Sequence, residues 1–205
     1  MNKKQRKKKK SIMLRNKKLC KKYPFLIPRN AWTGKVIEDY DYSYTEWDDI
    51  PDGWKIAFGD MLLKELGAEL KRCDFLDKYR IVQIKEKYGE LRIYDNGVPR
   101  GCNVWDIIEA YTGLSRNICI KCGRPDCAHT TAGWIIPMCE TCYNKDEYKY
   151  STEPYKELYN SESKMADALY LTRHNSTIGW VNETINISAR AEKIRTRWYK
   201  RRKSY

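Results

Sequence analysis

The chain of 205 residues has no long apolar run. Nothing approaches the roughly 18 consecutive apolar residues of a membrane span. The basic N-terminus is not followed by the apolar stretch of a secretory signal. The expected setting is therefore the cytoplasm, where thiols stay reduced and cysteines read as metal ligands or small core residues. Histidine is scarce, with only His129 and His174. There is no HExxH, no glycine-rich phosphate loop and no nucleophile elbow, so the familiar routes to zinc proteolysis, nucleotide hydrolysis and acyl transfer are excluded. No internal repeat is present. One faint catalytic pattern remains, Asp77 followed by Gln83-x-Lys85, as in metal-dependent nucleases. A strand rich in Lys and Glu produces that pattern by chance, and the expectation is no enzyme.

What is abundant is positive charge and tyrosine. The net charge is +13, and sixteen tyrosines raise the aromatic share to 13%. The charge is concentrated at the two ends. Residues 1–22 hold ten Lys and two Arg with no acid, and residues 189–205 hold eight basic residues and one Glu, leaving −6 for residues 23–188. Basic ends on an acidic body favour polyanions, nucleic acid first, through counterion release.

The organisation expected is α+β. Residues 1–22 form a basic arm that is disordered alone. A body follows over 23–117, then a zinc ribbon over 118–142, a linker over 143–160 and a basic helical module over 161–205. In the body, YPFLIPRN pins an extended segment between two prolines. EDYDYSYTEWDD is acidic and aromatic, and either lies on the surface or folds back on a basic arm. Residues 53–72 have one-faced spacing of Trp54, Phe58, Met61, Leu62, Leu66 and Leu70, which predicts a single helix capped by Asp52. Residues 79–97 read as two strands joined near Lys87–Gly89. Residues 104–115 read as a short helix ending near Gly113.

The segment ICIKCGRPDCAHTTAGWIIPMCETC carries the chemistry. Cys119-x2-Cys122 and Cys139-x2-Cys142 are separated by sixteen residues, the spacing of a two-knuckle structural Zn2+ site. Gly123 stands where a knuckle turn calls for positive φ. Four thiolates would close the coordination sphere, so the metal would be structural. Cys127 and His129 lie between the knuckles, and replacement of one ligand by either stays open. Cys20, Cys73 and Cys102 have no partner at ligand spacing.

YPFLIPRNAWTGKV, DYDYSYTEWDDIPDGWKIAFG, YRIVQIKEKYGELRIYDNG and CxxCG…GWIIPMCxxC, in this order over residues 23–142, resemble an uncharacterised family of phage and prophage proteins. The resemblance implies a zinc-binding phage protein in a bacterial host, and it brings no activity with it.

In the last section, Asn186-Ile187-Ser188 resembles the turn of a helix-turn-helix. A basic third helix would follow, with Ile194 and Trp198 inward. Arg190, Lys193, Arg195, Arg197, Lys200, Arg201 and Arg202 would then face nucleic acid; the equal alternative is a plain amphipathic helix whose basic face is solvated or packs on the acidic body. Glu192 departs from the pattern, since an apolar residue is usual there. The function expected is nucleic-acid binding in a regulatory or accessory role, with double-stranded DNA ahead of RNA. The alternative is a phage factor that docks on a host defence or transcription complex. Neither reading involves a small-molecule substrate or a membrane.

Overall fold

The computed structural model describes residues 2–30, 32–127, 129–130, 136–145 and 180–202, and the side chains of 129–130 and 180–188 are outside that description. Among the described residues, six α-helices and two antiparallel two-stranded sheets make it α+β. The helices are α1 (Lys3–Lys22), α2 (Asp52–Phe58), α3 (Met61–Arg72), α4 (Val104–Ser115), α5 (Glu140–Lys145) and α6 (Trp180–Arg202). The strands are β1 (Ile81–Lys87), β2 (Glu90–Asp95), β3 (His129–Thr130) and β4 (Ile136–Pro137). None of the described helices is long and apolar enough to cross a membrane.

The residues pack into two compact units, each built from discontinuous stretches. The first comprises Met1–Ile50, Leu63–Lys85 and Arg92–Ile107, and the second Pro51–Leu62, Glu86–Leu91 and Ile108–Tyr205.

In the first unit, α1 replaces the expected disordered arm. Asn2 caps it, accepting from the Gln5 N–H at 2.9 Å, while the Gln5 side chain accepts from the Asn2 N–H at 2.9 Å. That reciprocal pair satisfies two of the donors a helix start leaves open. Lys, Arg and Gln are good helix formers, and Lys21 and Lys22 complement the negative end of the helix dipole. The helix is held down by its narrow buried stripe, Asn16 and Cys20, four residues apart. Its partner is the acidic, aromatic segment. Arg15 pairs with Asp48, Asn16 Nδ2 donates to Asp48 at 2.9 Å, Lys9 pairs with Asp41 at 3.5 Å, and the Cys20 sulfur lies 3.8 Å from the Tyr40 hydroxyl. Of the two expectations for that segment, folding back on a basic arm is the one realised. The YPFLIPRN stretch is a single 3-10 turn at Pro24–Leu26 that buries Phe25 and Leu26 against Tyr79, whose ring meets Phe25 edge-on.

The predicted helix over 53–72 is two helices. Gly59 has φ +57, a left-handed conformation that ends α2, and the chain restarts at Met61. Pro51, not Asp52, takes the N-cap position. The apolar face is otherwise as read: Trp54, Phe58, Leu62, Leu66 and Leu70 are fully buried. The strand pair forms a tight hairpin. Tyr88 and Gly89 both have positive φ, the signature of a type I′ turn whose twist matches the strands. Glu86 accepts from the Gly89 N–H at 2.7 Å and fixes the turn.

In the second unit, α4 runs to Ser115, two residues past Gly113. Its last turn serves the edge of β2: Thr112 Oγ1 donates to the Leu91 carbonyl at 2.9 Å, and Ser115 Oγ accepts from the Leu91 N–H at 2.8 Å. The helix-turn-helix does not form as expected. α6 runs unbroken through Asn186, Ile187 and Ser188, so the turn is absent. The physical reason is local. No Gly or Pro occurs between 180 and 202, and the Ala, Arg, Glu and Lys that follow Ser188 favour continuation. A second helix expected from Ser176 or Thr177, with Ile178, Val181 and Ile185 inward, merges into α6 from Trp180 onward. A first helix expected near residues 165–171 and most of the linker lie outside the described residues, while Tyr143–Lys145 belong to α5.

Candidate metal centre

The four knuckle cysteines converge. The sulfurs of Cys119, Cys122, Cys139 and Cys142 all lie within 4.8 Å of one another. A metal with bonds to sulfur of about 2.3 Å would place tetrahedral ligands about 3.8 Å apart. The Cys122 and Cys139 sulfurs are 3.7 Å apart, already the edge of such a tetrahedron. The group could hold a metal ion.

Each cysteine is placed by backbone hydrogen bonds. In the first knuckle the Cys119 N–H donates to the Arg124 carbonyl at 2.8 Å and the Gly123 N–H donates back to the Cys119 carbonyl at 2.9 Å. Gly123 has φ +76, as the knuckle turn demands. In the second knuckle, the N–H groups of Cys142 and Tyr143 both reach the Cys139 carbonyl, at 3.0 and 2.9 Å. The knuckles are joined by the Ile120 N–H on the Pro137 carbonyl at 2.8 Å. Between them β3 and β4 pair with His129 opposite Pro137 and Thr130 opposite Ile136. Ile136, Met138 and Tyr143 pack around the sulfurs, and Cys119 is fully buried.

The sulfurs polarise one another. Cys119 is lowered to about 6, mainly by hydrogen bonding from the Cys122 and Cys127 thiols. Cys139 is also driven down, by Cys119, Cys122 and Cys127. Cys122 is pushed up because it is the donor to Cys119 and Cys139, and burial pushes Cys142 up to about 12.

Cys127 is buried beside this group but has its own partner, donating to the Arg124 carbonyl at 2.9 Å. The neighbouring Cys119 and Cys139, with burial, push its pKa up. The His129 side chain lies outside the described atoms, so its place as a ligand is left where the sequence put it.

Two residues that matter here are not tied to this site by the sequence, which places Trp54 only on the apolar helix face. Trp54, fully buried, donates its indole N–H to the Ile118 carbonyl at 3.1 Å, just before the first knuckle. Gly53 donates its N–H to the Ile120 carbonyl at 2.9 Å. A Cβ on Gly53 would lie 2.5 Å from the carbonyl carbon and oxygen of Ile120, and closer still to the Cys119 carbonyl oxygen. A Cβ on Gly123 would in turn lie 2.5 Å from the Gly53 carbonyl. Two glycines let the start of α2 rest directly on the knuckle backbone. The only sequence signal was a glycine inside a helical pattern, which usually has a packing reason.

The seven basic residues expected to face nucleic acid divide into two sets. Arg190 stacks its guanidinium 5.8 Å from the centre of the Tyr111 ring. Arg195 makes a two-point bond to Asp126 at 3.0 and 2.9 Å, and Arg197 reaches the Phe58 carbonyl at 3.5 Å. With Ile194 buried as expected, these three dock α6 on its own unit. Lys193, Lys200, Arg201 and Arg202 are exposed. Lys85 of the faint nuclease pattern sits over the Tyr94 ring at 5.0 Å, while Asp77 and Gln83 are exposed. No family model matches the chain, and neither a curated protein nor a solved structure is similar to it.

Proposed function

We propose that this is a nucleic-acid-binding protein of phage type, with double-stranded DNA as its preferred partner, acting in a regulatory or accessory role in the bacterial host cytoplasm. Zn2+ held by Cys119, Cys122, Cys139 and Cys142 is structural in this reading. Four thiolates leave it no open position for chemistry. The observation that carries the reading is α1. All twelve of its Lys and Arg residues are exposed, and of these Arg15 and Lys9 pair with Asp48 and Asp41 beside the buried Asn16 and Cys20. Twenty residues at 1.5 Å per residue make a basic rod about 30 Å long, close to one turn of duplex DNA. A helix ordered beforehand binds without the entropic cost of folding on its target.

Lys193, Lys200, Arg201 and Arg202 on α6 supply further phosphate contacts. The acids Asp41 and Asp48 are engaged by α1, which weakens the alternative of an acidic surface that docks on a host protein.

The test is binding of the full-length protein to short duplex DNA and RNA across a salt series. In one variant Lys3, Lys4, Lys7, Lys8 and Lys10 become Gln. If all five meet phosphates, the slope of log K against log salt on duplex falls by as much as about 4.5. Unchanged affinity and slope in that variant would overturn the reading. Equal loss on RNA and duplex would leave nonspecific polyanion binding in place of a DNA preference.

A further inference from the structure

The first unit contains a sulfur cluster of its own. The Cys73 and Cys102 sulfurs and a Glu69 carboxylate oxygen lie within 4.8 Å of one another. Cys73 directly follows α3, and Cys102 stands in the turn that precedes α4. Their neighbours are bonded to each other on both sides. Arg72 Nη2 donates to the Gly101 carbonyl at 2.6 Å, and the Asn103 N–H donates to Glu69 Oε1 at 2.6 Å. The two segments are thereby locked in register with the thiols facing.

Three donor atoms invite the reading of a metal site, but the electrostatics oppose it. Both Glu69 oxygens are committed to Arg72, through Nε at 2.9 Å and Nη2 at 2.6 Å. The same guanidinium is 3.5 Å from the Cys73 sulfur. A fixed cation already lies where a metal's charge would go. What remains is two neighbouring thiols, with the Cys73 S–H donating to Glu69 Oε1 at 3.6 Å.

We propose that Cys73 and Cys102 form a reversible intramolecular disulfide that latches the end of α3 to the turn at 99–103. Rotation of the two side chains must bring sulfurs now within 4.8 Å to about 2.05 Å. The oxidant is a small-molecule disulfide of the glutathione type. The partly exposed Cys73, as thiolate, attacks one sulfur of that disulfide and releases one small thiolate. Cys102, as thiolate, then attacks the Cys73 sulfur of the mixed disulfide and releases the second. The two protons lost by the cysteines end on the two released small thiols. One disulfide is reduced, one is formed, and the electrons balance.

The chemistry of the reduced pair sets the character of the bond. Burial, then the neighbouring Cys102 and Glu69, push the Cys73 thiol up to about 11. Exchange at neutral pH is slow as a result. The reduced form gains no thiolate stabilisation, so the disulfide, once made, resists reduction. This is a latch rather than a turnover catalyst.

The experiment uses the full chain with Zn2+ bound, equilibrated in mixtures of oxidised and reduced glutathione. Acid quenching, alkylation of free thiols and peptide mapping follow. The expected product is a Cys73–Cys102 linked peptide, lighter by two hydrogens, absent from Cys73→Ser and Cys102→Ser. Its rate of formation rises about tenfold per pH unit above neutrality, following the Cys73 thiolate. The oxidised protein melts higher by on the order of 5 °C or more, and dithiothreitol reverses the gain. A lasting glutathione adduct on Cys73 overturns the proposal, as do two thiols that stay alkylatable throughout, or linkage to a knuckle cysteine instead. A second bound metal that disappears in Cys102→Ser also overturns it, in favour of a metal site.

Discussion

Replacing Gly53 by Ala tests whether the metal centre depends on the helix beneath it. The substitution changes no cysteine side chain, although its new methyl meets the Cys119 carbonyl oxygen. The added methyl would lie 2.5 Å from two backbone atoms of Ile120, where side-chain carbons keep at least 3.0 Å. Either the knuckle or the start of α2 must therefore move by at least 0.5 Å. Both sides of the contact are backbone, so no flexible side chain can yield instead. A clash with fixed backbone on both sides belongs at the upper end of the overpacking range, about 2–3 kcal/mol, and the better helix propensity of Ala returns about 1 kcal/mol. The net, about 1–2 kcal/mol, falls on the geometry of the first knuckle. Affinity for Zn2+ should weaken by about 5- to 30-fold. The melting temperature should drop by about 2–8 °C. Competition with a chromophoric chelator reads the first quantity and thermal denaturation the second. Gly97→Ala is the control: its φ is +87 but nothing lies within 4 Å of the new methyl, so it should cost stability and leave metal affinity alone. If Gly53→Ala binds Zn2+ within about twofold of the parent and melts at the same temperature, the packing argument fails.

Cys122→Ser should abolish stoichiometric Zn2+ binding, whereas Cys127→Ser should keep one Zn2+ per chain; elemental analysis after gel filtration separates them, and loss of metal in both would make Cys127 a ligand. Trp54→Phe leaves the buried Ile118 carbonyl without its donor and should cost about 1–3 kcal/mol in denaturant titration. Glu69 is held down at about 2 by Arg72 and the Asn103 N–H, below the ordinary carboxylate range. A depressed pKa gives stability that is complete above the unfolded value and is lost as pH falls through the folded one. The parent's advantage over Glu69→Gln should therefore shrink between about pH 4.5 and pH 2, and a constant difference across that window would contradict it. Glu46 has the opposite sign. Burial, then Asp49, raises it to about 7, so its ionisation opposes folding as pH climbs from about 4.5 to 7. Glu46→Gln should match the parent near pH 4 and melt above it at pH 8.

The parts that were legible in the sequence are those with short-range rules. The two knuckles follow from Cys-x-x-Cys spacing, and Gly123 takes the positive φ expected of it. The hairpin follows from two apolar runs about a turn, and the buried face of α2 and α3 follows from helical spacing. The break at Gly59 was hidden because Phe58 and Met61 kept the helical period across it. The ordering of α1 was illegible for a different reason. Its twelve positive charges predict an unpacked arm, and the acids that hold it, Asp41 and Asp48, lie more than thirty residues away from their partners Lys9 and Arg15. The α6 arginines were similar. A basic face looks the same in sequence whether it meets phosphate or, as with Arg195, a carboxylate in the knuckle loop.

The bond from Trp54 to Ile118 spans 64 positions of sequence. A peptide of residues 118–142 would carry all four thiols but neither Trp54 nor Gly53, so the cysteine segment is not a portable cassette. Excised or grafted into another protein, it would bind metal without the floor that sets its shape. During synthesis the order is favourable: α2 leaves the ribosome well before the first knuckle, so each cysteine pair is made with its template already waiting. A circular permutant that placed residues 51–58 after Cys142 would reverse that order and leave the thiols exposed to stray metals and oxidants until the chain was finished.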